Sequence, residues 1–183
     1  MICGASGVGK SSVARALAVR HGVPLAEADD VVTALKALTT PATHPALHRW
    51  DSDPAARSWS PEQIVDHTLA VAAELAAGFR AVIADHIEYA APVVLEGDYL
   101  TPDLVVGLRG ARAVVLSEPD EDRLVANLLA REPHAGRQRP RARVSARYDA
   151  SLVASASRAA VPVVQSWPFH DAVDRVESAL RSA

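Results

Sequence analysis

The chain is short of several things, and each shortage removes a class of answer. Its 183 residues hold one cysteine, Cys3, so no internal disulfide can form, and an apolar filler in a first strand is the expected role for it. Net charge is only −3, which gives no global pull toward nucleic acid or an anionic membrane. Aromatic residues make up 4% of the chain, and none stands among the arginines between 131 and 147. There is no leader-like segment and no run of about 18 apolar residues, so a cytoplasmic location is expected. No internal repeat and no second domain are visible. Residues 1–183 read as one domain with an ordinary balance of 49% hydrophobic and 22% charged residues.

What is present begins at once. Gly4-Ala5-Ser6-Gly7-Val8-Gly9-Lys10-Ser11 matches G-x-x-x-x-G-K-[ST], the P-loop pattern, in full. Met1-Ile2-Cys3 before it is strand-like, though short for a central strand that begins at Met1, and Ser12 onward reads as helix. Glycines let successive backbone N–H groups turn inward around a phosphate. Lys10, expected to face solvent until a nucleotide binds, supplies charge to the β- and γ-phosphates. Ser11 supplies a hard oxygen for Mg²⁺, and the helix N-terminus at Ser12 favours the same anion. ATP with Mg²⁺ is the expected ligand.

A second strand, Val23–Ala28, ends among Glu27, Asp29 and Asp30. Either aspartate could cap the helix that follows. Carboxylates at a strand's C-terminal end beside a P-loop also lie where open α/β sheets bind ligands, which favours Asp29 as a functional group. Residues 39–60 lose periodicity and read as a long loop, with His44 and Arg49 as candidates for holding an acceptor. Trp50 and Trp59 there suit hydrophobic plugs. Ser60, Pro61 and Gln63 mark a helix start, and the three-to-four spacing from Ile64 to Ala90 predicts some seven turns. Ala81–Asp85 resembles a strand ending in a carboxylate, but Pro92–Asp98 is strand-like too. The six residues between them are too few for a parallel crossover, so the first run belongs to the helix. Asp85, His86 and Tyr89 at the helix end are further acceptor candidates. Glu96 becomes the carboxylate expected to hold the metal's water shell, with Asp98 two residues on and a polar turn as the plainer alternative.

Ala113–Leu116 reads as a fourth strand, and the next helix is expected to start within Ser117–Glu121 and to carry Arg123, Asn127 and Arg131. Between Arg131 and Arg147 six arginines face a single acid in the sequence, Glu132. A solvated basic surface is the plain reading. Bidentate phosphate contact favours a lid over residues 132–147, and a nucleic-acid track lacks its aromatics. A helix from Tyr148 to Ala160 and a strand Val161–Val164 follow, then a turn where a base ring could rest on Trp167 and Pro168. Asp171–Arg181 closes the chain as helix.

This layout resembles the small P-loop kinases of metabolites: nucleoside-monophosphate, shikimate and gluconate kinases. Val94-Leu95-Glu96-Gly97-Asp98-Tyr99-Leu100-Thr101-Pro102 looks most like proteins labelled 2-phosphoglycerate kinase-like. The resemblance implies a three-layer α/β P-loop NTPase fold with a five-stranded parallel sheet and an arginine-rich lid. It implies γ-phosphoryl transfer from ATP to a hydroxyl of a small molecule, with Asp29 at the acceptor hydroxyl and Arg131 on the transferring phosphate. The adenine-stacking position of that group falls on Asn127, where the group has arginine. A monomer or homodimer is expected. A non-catalytic NTP-dependent regulator, or a kinase of nucleic acid or an antibiotic, are the alternatives.

Overall fold

A computed structural model describes residues 1–182. Among the described residues there are five strands: β1 Ile2–Cys3, β2 Leu25–Glu27, β3 Val94–Glu96, β4 Val114–Ser117 and β5 Val163–Gln165. Seven α-helices accompany them: α1 Lys10–His21, α2 Ala28–Leu38, α3 Pro45–Ser52, α4 Pro61–Glu88, α5 Glu121–Arg131, α6 Arg139–Ala159 and α7 Ala172–Ser182. The strands form one all-parallel sheet in the order β2-β3-β1-β4-β5. Helices α1 and α7 pack together on one face, and α4 and α6 pack together on the other. The expected three-layer α/β architecture with a five-stranded parallel sheet is what the chain adopts. Ile2, Cys3, Leu95, Val114, Val115 and Leu116 are buried on both sides, as parallel strands require. Burial pushes the Cys3 thiol up to about 12, so it is an inert filler.

Helix α4 follows its sequence closely. Ser60 accepts from the Gln63 N–H and Gln63 returns a bond to the Ser60 N–H, closing a capping box with Pro61 in the first turn. Val65, Val71, Leu75, Phe79 and Ile83 recur at helical spacing on its buried side. The helix has the length and mean hydropathy, 1.3 over its best 18-residue window, to cross a membrane. Val71, Leu75 and Phe79 on its core-facing stripe are at most 2% exposed, and 28% of that window is buried. Ala81–Asp85 is helix, and β3 is the strand, as the crossover length demanded.

Three expectations change. Residues 39–60 are not structureless: they hold α3 and a 3-10 turn, Ala56–Ser58. Helix α3 was illegible because its cap is remote. The Glu74 carboxylate on α4 accepts from the N–H groups of Ala46 and Leu47, so its first turn is satisfied from another helix. Trp50 and Trp59 meet edge to face at 5.6 Å, and His67 lies 5.1 Å from Trp59 while donating to the Ala46 carbonyl. This ring cluster ties α3 to α4, although Trp50 remains 42% exposed. Neither Asp29 nor Asp30 caps α2: both lie inside its first turn, and Glu27 stands at the cap without a side-chain bond. Finally, α6 begins at Arg139 rather than Tyr148, so most of the expected lid is helix.

Replacing Ser60 with Ala removes the capping box and is expected to cost about 1 kcal/mol. For a chain of this size that lowers the thermal midpoint by about 2–4 °C, readable by circular dichroism.

Candidate functional site

The site forms where β1 ends. Strand β1 leads into α1 on one face, whereas the connections after β3 and β4 pack against α4 and α6 on the other. The crevice between such diverging connections is where open α/β sheets take ligands. Gly4–Gly9 fills it. Gly9, at φ 94°, precedes α1 and provides no side-chain cap, so the first-turn N–H groups of Lys10, Ser11 and Ser12 face the crevice rather than a capping oxygen. A Cβ on Gly9 would stand 2.5 Å from the Phe169 ring, which explains why glycine is needed there. Ala5 and Val8 are fully buried and anchor the loop from beneath, while Ser6 stays partly accessible.

Lys10 is not solvent-facing. Its residue is 6% exposed, and Nζ donates to the Ala5 carbonyl at 2.9 Å and to Asp98 Oδ1 at 2.6 Å. A buried ammonium without such partners would shed its charge, so the lysine has been given a carboxylate at the end of β3. Glu96, two residues earlier, is buried. Desolvation raises its pKa, with hydrogen bonding to Ser11 and the Lys10 charge pulling the other way. Ser11 and Glu96 are therefore neighbours at the end of the loop. Their oxygens suit a hard cation that keeps most of its waters, so they fit Mg²⁺ held jointly with phosphate oxygens. Among the described residues no group of three or more His, Cys, Asp or Glu closes on a single metal position.

Asp29 approaches the same point from α2. A Cβ on Gly97 would collide with the Cβ of Ala28, so glycine after β3 is what lets the two segments touch. Burial raises the Asp29 pKa first, the Asp98 charge adds to it, and Lys10 opposes both. Asp29 and Asp30 are both solvent-exposed in α2, and what sets Asp29 apart is its position beside Asp98 and Lys10.

On the other side of the loop is a cavity of about 530 Å³ lined by Gly7, Ser12, Arg123, Asn127, Arg131 and Trp167, among others. Asn127 Nδ2 donates to the Gly7 carbonyl at 2.9 Å, so this side chain holds the loop. Trp167 is 56% exposed, and the Arg123 guanidinium lies 5.1 Å from its ring centroid. Pro168 follows it in the turn, and its carbonyl accepts from Arg175 at 2.6 Å. Beneath this wall a buried network joins three elements. Ser117 donates to Asp149, Ser166 donates to Glu118, and the Glu118 N–H donates to Asp149. Desolvation raises the Asp149 pKa, and those donors restrain the rise.

The arginine segment is more divided than its sequence suggests. Arg131 and Arg141 converge on Glu132, at 2.7 and 3.0 Å, and Arg141 also donates to Ser6 Oγ of the loop at 3.1 Å. These partners hold the Glu132 carboxyl down at about 2, with Arg131 the largest contributor. Arg139 faces Asp122 at 3.1 Å, Arg143 faces Glu121 at 3.7 Å and Arg147 faces Glu62 at 2.9 Å. Glu132 is thus not the single acid of this segment in space, because α4 and α5 supply three more. Two of the six arginines address the loop's surroundings through Glu132.

Several expected acceptor groups lie elsewhere. Asp85, His86 and Tyr89 sit at the C-terminal end of α4, which leads into β3 and so lies at the opposite edge of the sheet. His86 donates to the Ala91 carbonyl there and lines an apolar groove of about 710 Å³ with Met1, Leu17, Val94 and Arg112. They cannot meet a group at Lys10. Arg49 stacks over Trp59, and His44 contacts Thr43; neither makes a hydrogen bond or ion pair with Asp29, Asp98 or the loop. The sequence offered Asp98 only beside Glu96 as a carboxylate for the metal's water shell, Arg141 only as one of six lid arginines and Phe169 only as part of a turn, and it gave none of them the contact seen here. Only the G-D after Glu96 hinted at Asp98, and nothing local distinguished Arg141 from its neighbours.

No protein-family model and no curated protein matches the chain. Among solved structures, the chain is similar to an uncharacterized protein from Eubacterium ventriosum ATCC 27560. The likeness has a TM-score of 0.54 at 13% identity and covers 100% of this chain and 97% of that one, so it bears on the fold alone.

Proposed function

We propose that this protein is a P-loop NTPase-fold kinase that moves the γ-phosphoryl group of ATP to a hydroxyl of a small metabolite. One observation carries the reading. A strand, a glycine loop and an uncapped helix N-terminus stand in order, and Lys10, the Ser11–Glu96 pair, Asp29 and the Arg131–Arg141 pair gather there from five different elements. A loop of backbone N–H groups alone would bind an anion. Carboxylates beside it and guanidiniums opposite it are what in-line phosphoryl transfer needs.

In this reading the loop amides and Lys10 hold the β- and γ-phosphates, and the exposed face of Trp167 takes the base. Mg²⁺, held by Ser11 and through water by Glu96, would neutralise phosphate charge. The acceptor hydroxyl oxygen attacks the γ-phosphorus, the bond from phosphorus to the β-bridging oxygen breaks, and ADP leaves. Asp29 orients the hydroxyl and takes its proton. Arg141, already touching the loop, and Arg131 balance charge on the transferred group. Action on nucleic acid has less support, because Arg139, Arg143 and Arg147 each face a carboxylate and form no open basic track. The direct test is ADP release from Mg·ATP across a panel of sugars, sugar acids, nucleosides and aminoglycoside-like antibiotics. Slow hydrolysis that no acceptor stimulates would favour a regulatory NTP-binding protein instead.

Three outcomes are expected once an acceptor is found. Lys10→Ala abolishes transfer in a folded protein, since the orphaned Asp98 is 41% exposed and water can solvate it; full turnover in that variant would falsify the kinase reading. Asp29→Asn lowers the rate at saturating acceptor by about 10²- to 10⁴-fold, while Asp30→Asn changes it little. The pH–rate profile separates them further. Asp29 must be ionised to accept a proton, and its pKa is raised, so the wild-type rate falls on the acid side above the ordinary aspartate value of 3.8. Asp29→Asn removes that limb. Arg141→Ala lowers the rate by about 10²- to 10³-fold, as the loss of one donor to a developing oxyanion does. Arg139→Ala, whose partner is the exposed Asp122, leaves the rate within a factor of two or so, because surface ion pairs contribute little.

A further inference from the structure

The proposed chemistry leaves Asp98 without a role, although it makes a close ion pair with Lys10. Lys10 Nζ already reaches the loop, donating to the Ala5 carbonyl at 2.9 Å, but its other partner is Asp98 Oδ1 at 2.6 Å, which a phosphate must displace to use the ammonium fully. Asp98 is itself held in place. Its backbone carbonyl accepts from the buried Tyr148 hydroxyl at 2.7 Å, and Gly97 seats the segment against the first turn of α2. The carboxylate therefore has a fixed backbone, whereas the lysine has four rotatable carbons. When a polyphosphate competes for the ammonium, the lysine moves and Asp98 stays.

We propose that the Lys10–Asp98 ion pair is an interlock between the nucleotide half and the acceptor half of the site: phosphates displace Asp98 from Lys10, and the freed carboxylate then joins Asp29 in holding the acceptor hydroxyl. This rests on the kinase reading above. Two consequences follow from charge alone. In the free protein Asp98 competes with phosphate for Lys10, so it weakens nucleotide binding. After nucleotide has bound, the carboxylate lacks its cation and lies beside Asp29, where it can accept a hydrogen bond from a polyol or amino-alcohol. Nucleotide then binds first and the acceptor second. Asp98 is a positioning residue here, since the hydroxyl proton goes to Asp29 and phosphoryl transfer balances without it.

The test is calorimetric titration of the full chain with Mg·ATP and Mg·ADP, which needs no known acceptor. Asp98→Asn keeps the shape and removes the competing charge, and is expected to bind both nucleotides about tenfold tighter, the equivalent of one charge-assisted hydrogen bond. Asp30→Asn removes a nearby charge that does not touch Lys10 and should change affinity by less than about twofold. In a Lys10→Met background, Asp98→Asn should give no gain. Asp98→Ser serves where the asparagine variant does not fold. Equal or weaker binding by the folded Asp98 variants, with the wild type binding normally, overturns the interlock and leaves the kinase reading intact. An equal gain from Asp30→Asn also overturns it, because the effect would then be general charge. No nucleotide binding by the wild type overturns both.

Discussion

A buried ammonium at the end of a central strand constrains much of this structure. Lys10 opens α1 directly after the glycine loop, so its side chain is fed into the sheet's C-terminal edge rather than into water. Desolvating that charge is costly, and the cost is met by one carbonyl of the loop and one carboxylate from the turn after β3. For Asp98 to arrive there, β3 must lie beside β1, which the register Ile2 to Glu96 achieves. For the turn after β3 to fit under α2, position 97 must lack a side chain. Strand order, register and a single glycine are in this way tied to one ion pair.

The other side of the loop rests on a different device. Ser117 and Glu118 at the end of β4, Asp149 on α6 and Ser166 after β5 form a buried polar network with every side-chain oxygen partnered. Such a network is stabilising only when complete, and here it fixes how far β4, β5 and α6 can slide past one another. Glu118 also lies 3.6 Å from Arg123, the guanidinium that stacks on Trp167. The exposed indole at the cavity wall is thus positioned from beneath by buried carboxylates. The pair of arginines on Glu132 shows the same economy of placement, since one acid orients two cations toward the loop's open side.

Much of the fold was legible because its signals are local. The glycine loop, the capping box at Ser60, the apolar stripe of α4 and the alternation of strands with helices all lie within windows of a few residues. Even the choice between two rival strands followed from counting residues between them. Helix α3 escaped because its capping oxygen comes from Glu74, and the start of α6 escaped because Arg139–Arg147 reads as repelling like charges. Only in space do Asp122, Glu121 and Glu62 arrive to neutralise them.

The candidate site divides along the same line. By itself the sequence determined the Gly4–Ser11 loop, the carboxylate at Glu96 and the acid after β2, because backbone freedom, charge and strand position are properties of short stretches. It also placed His86 and Tyr89 near an acidic group in the chain, which says nothing about which edge of the sheet a helix end reaches. Tertiary structure alone decided that they lie at the far edge, that Asp98 rather than water holds Lys10, and that Arg141 among six arginines touches the loop. The reason is that ion pairing depends on separation in space, and parallel crossovers carry residues nearly ninety positions apart to within a hydrogen bond.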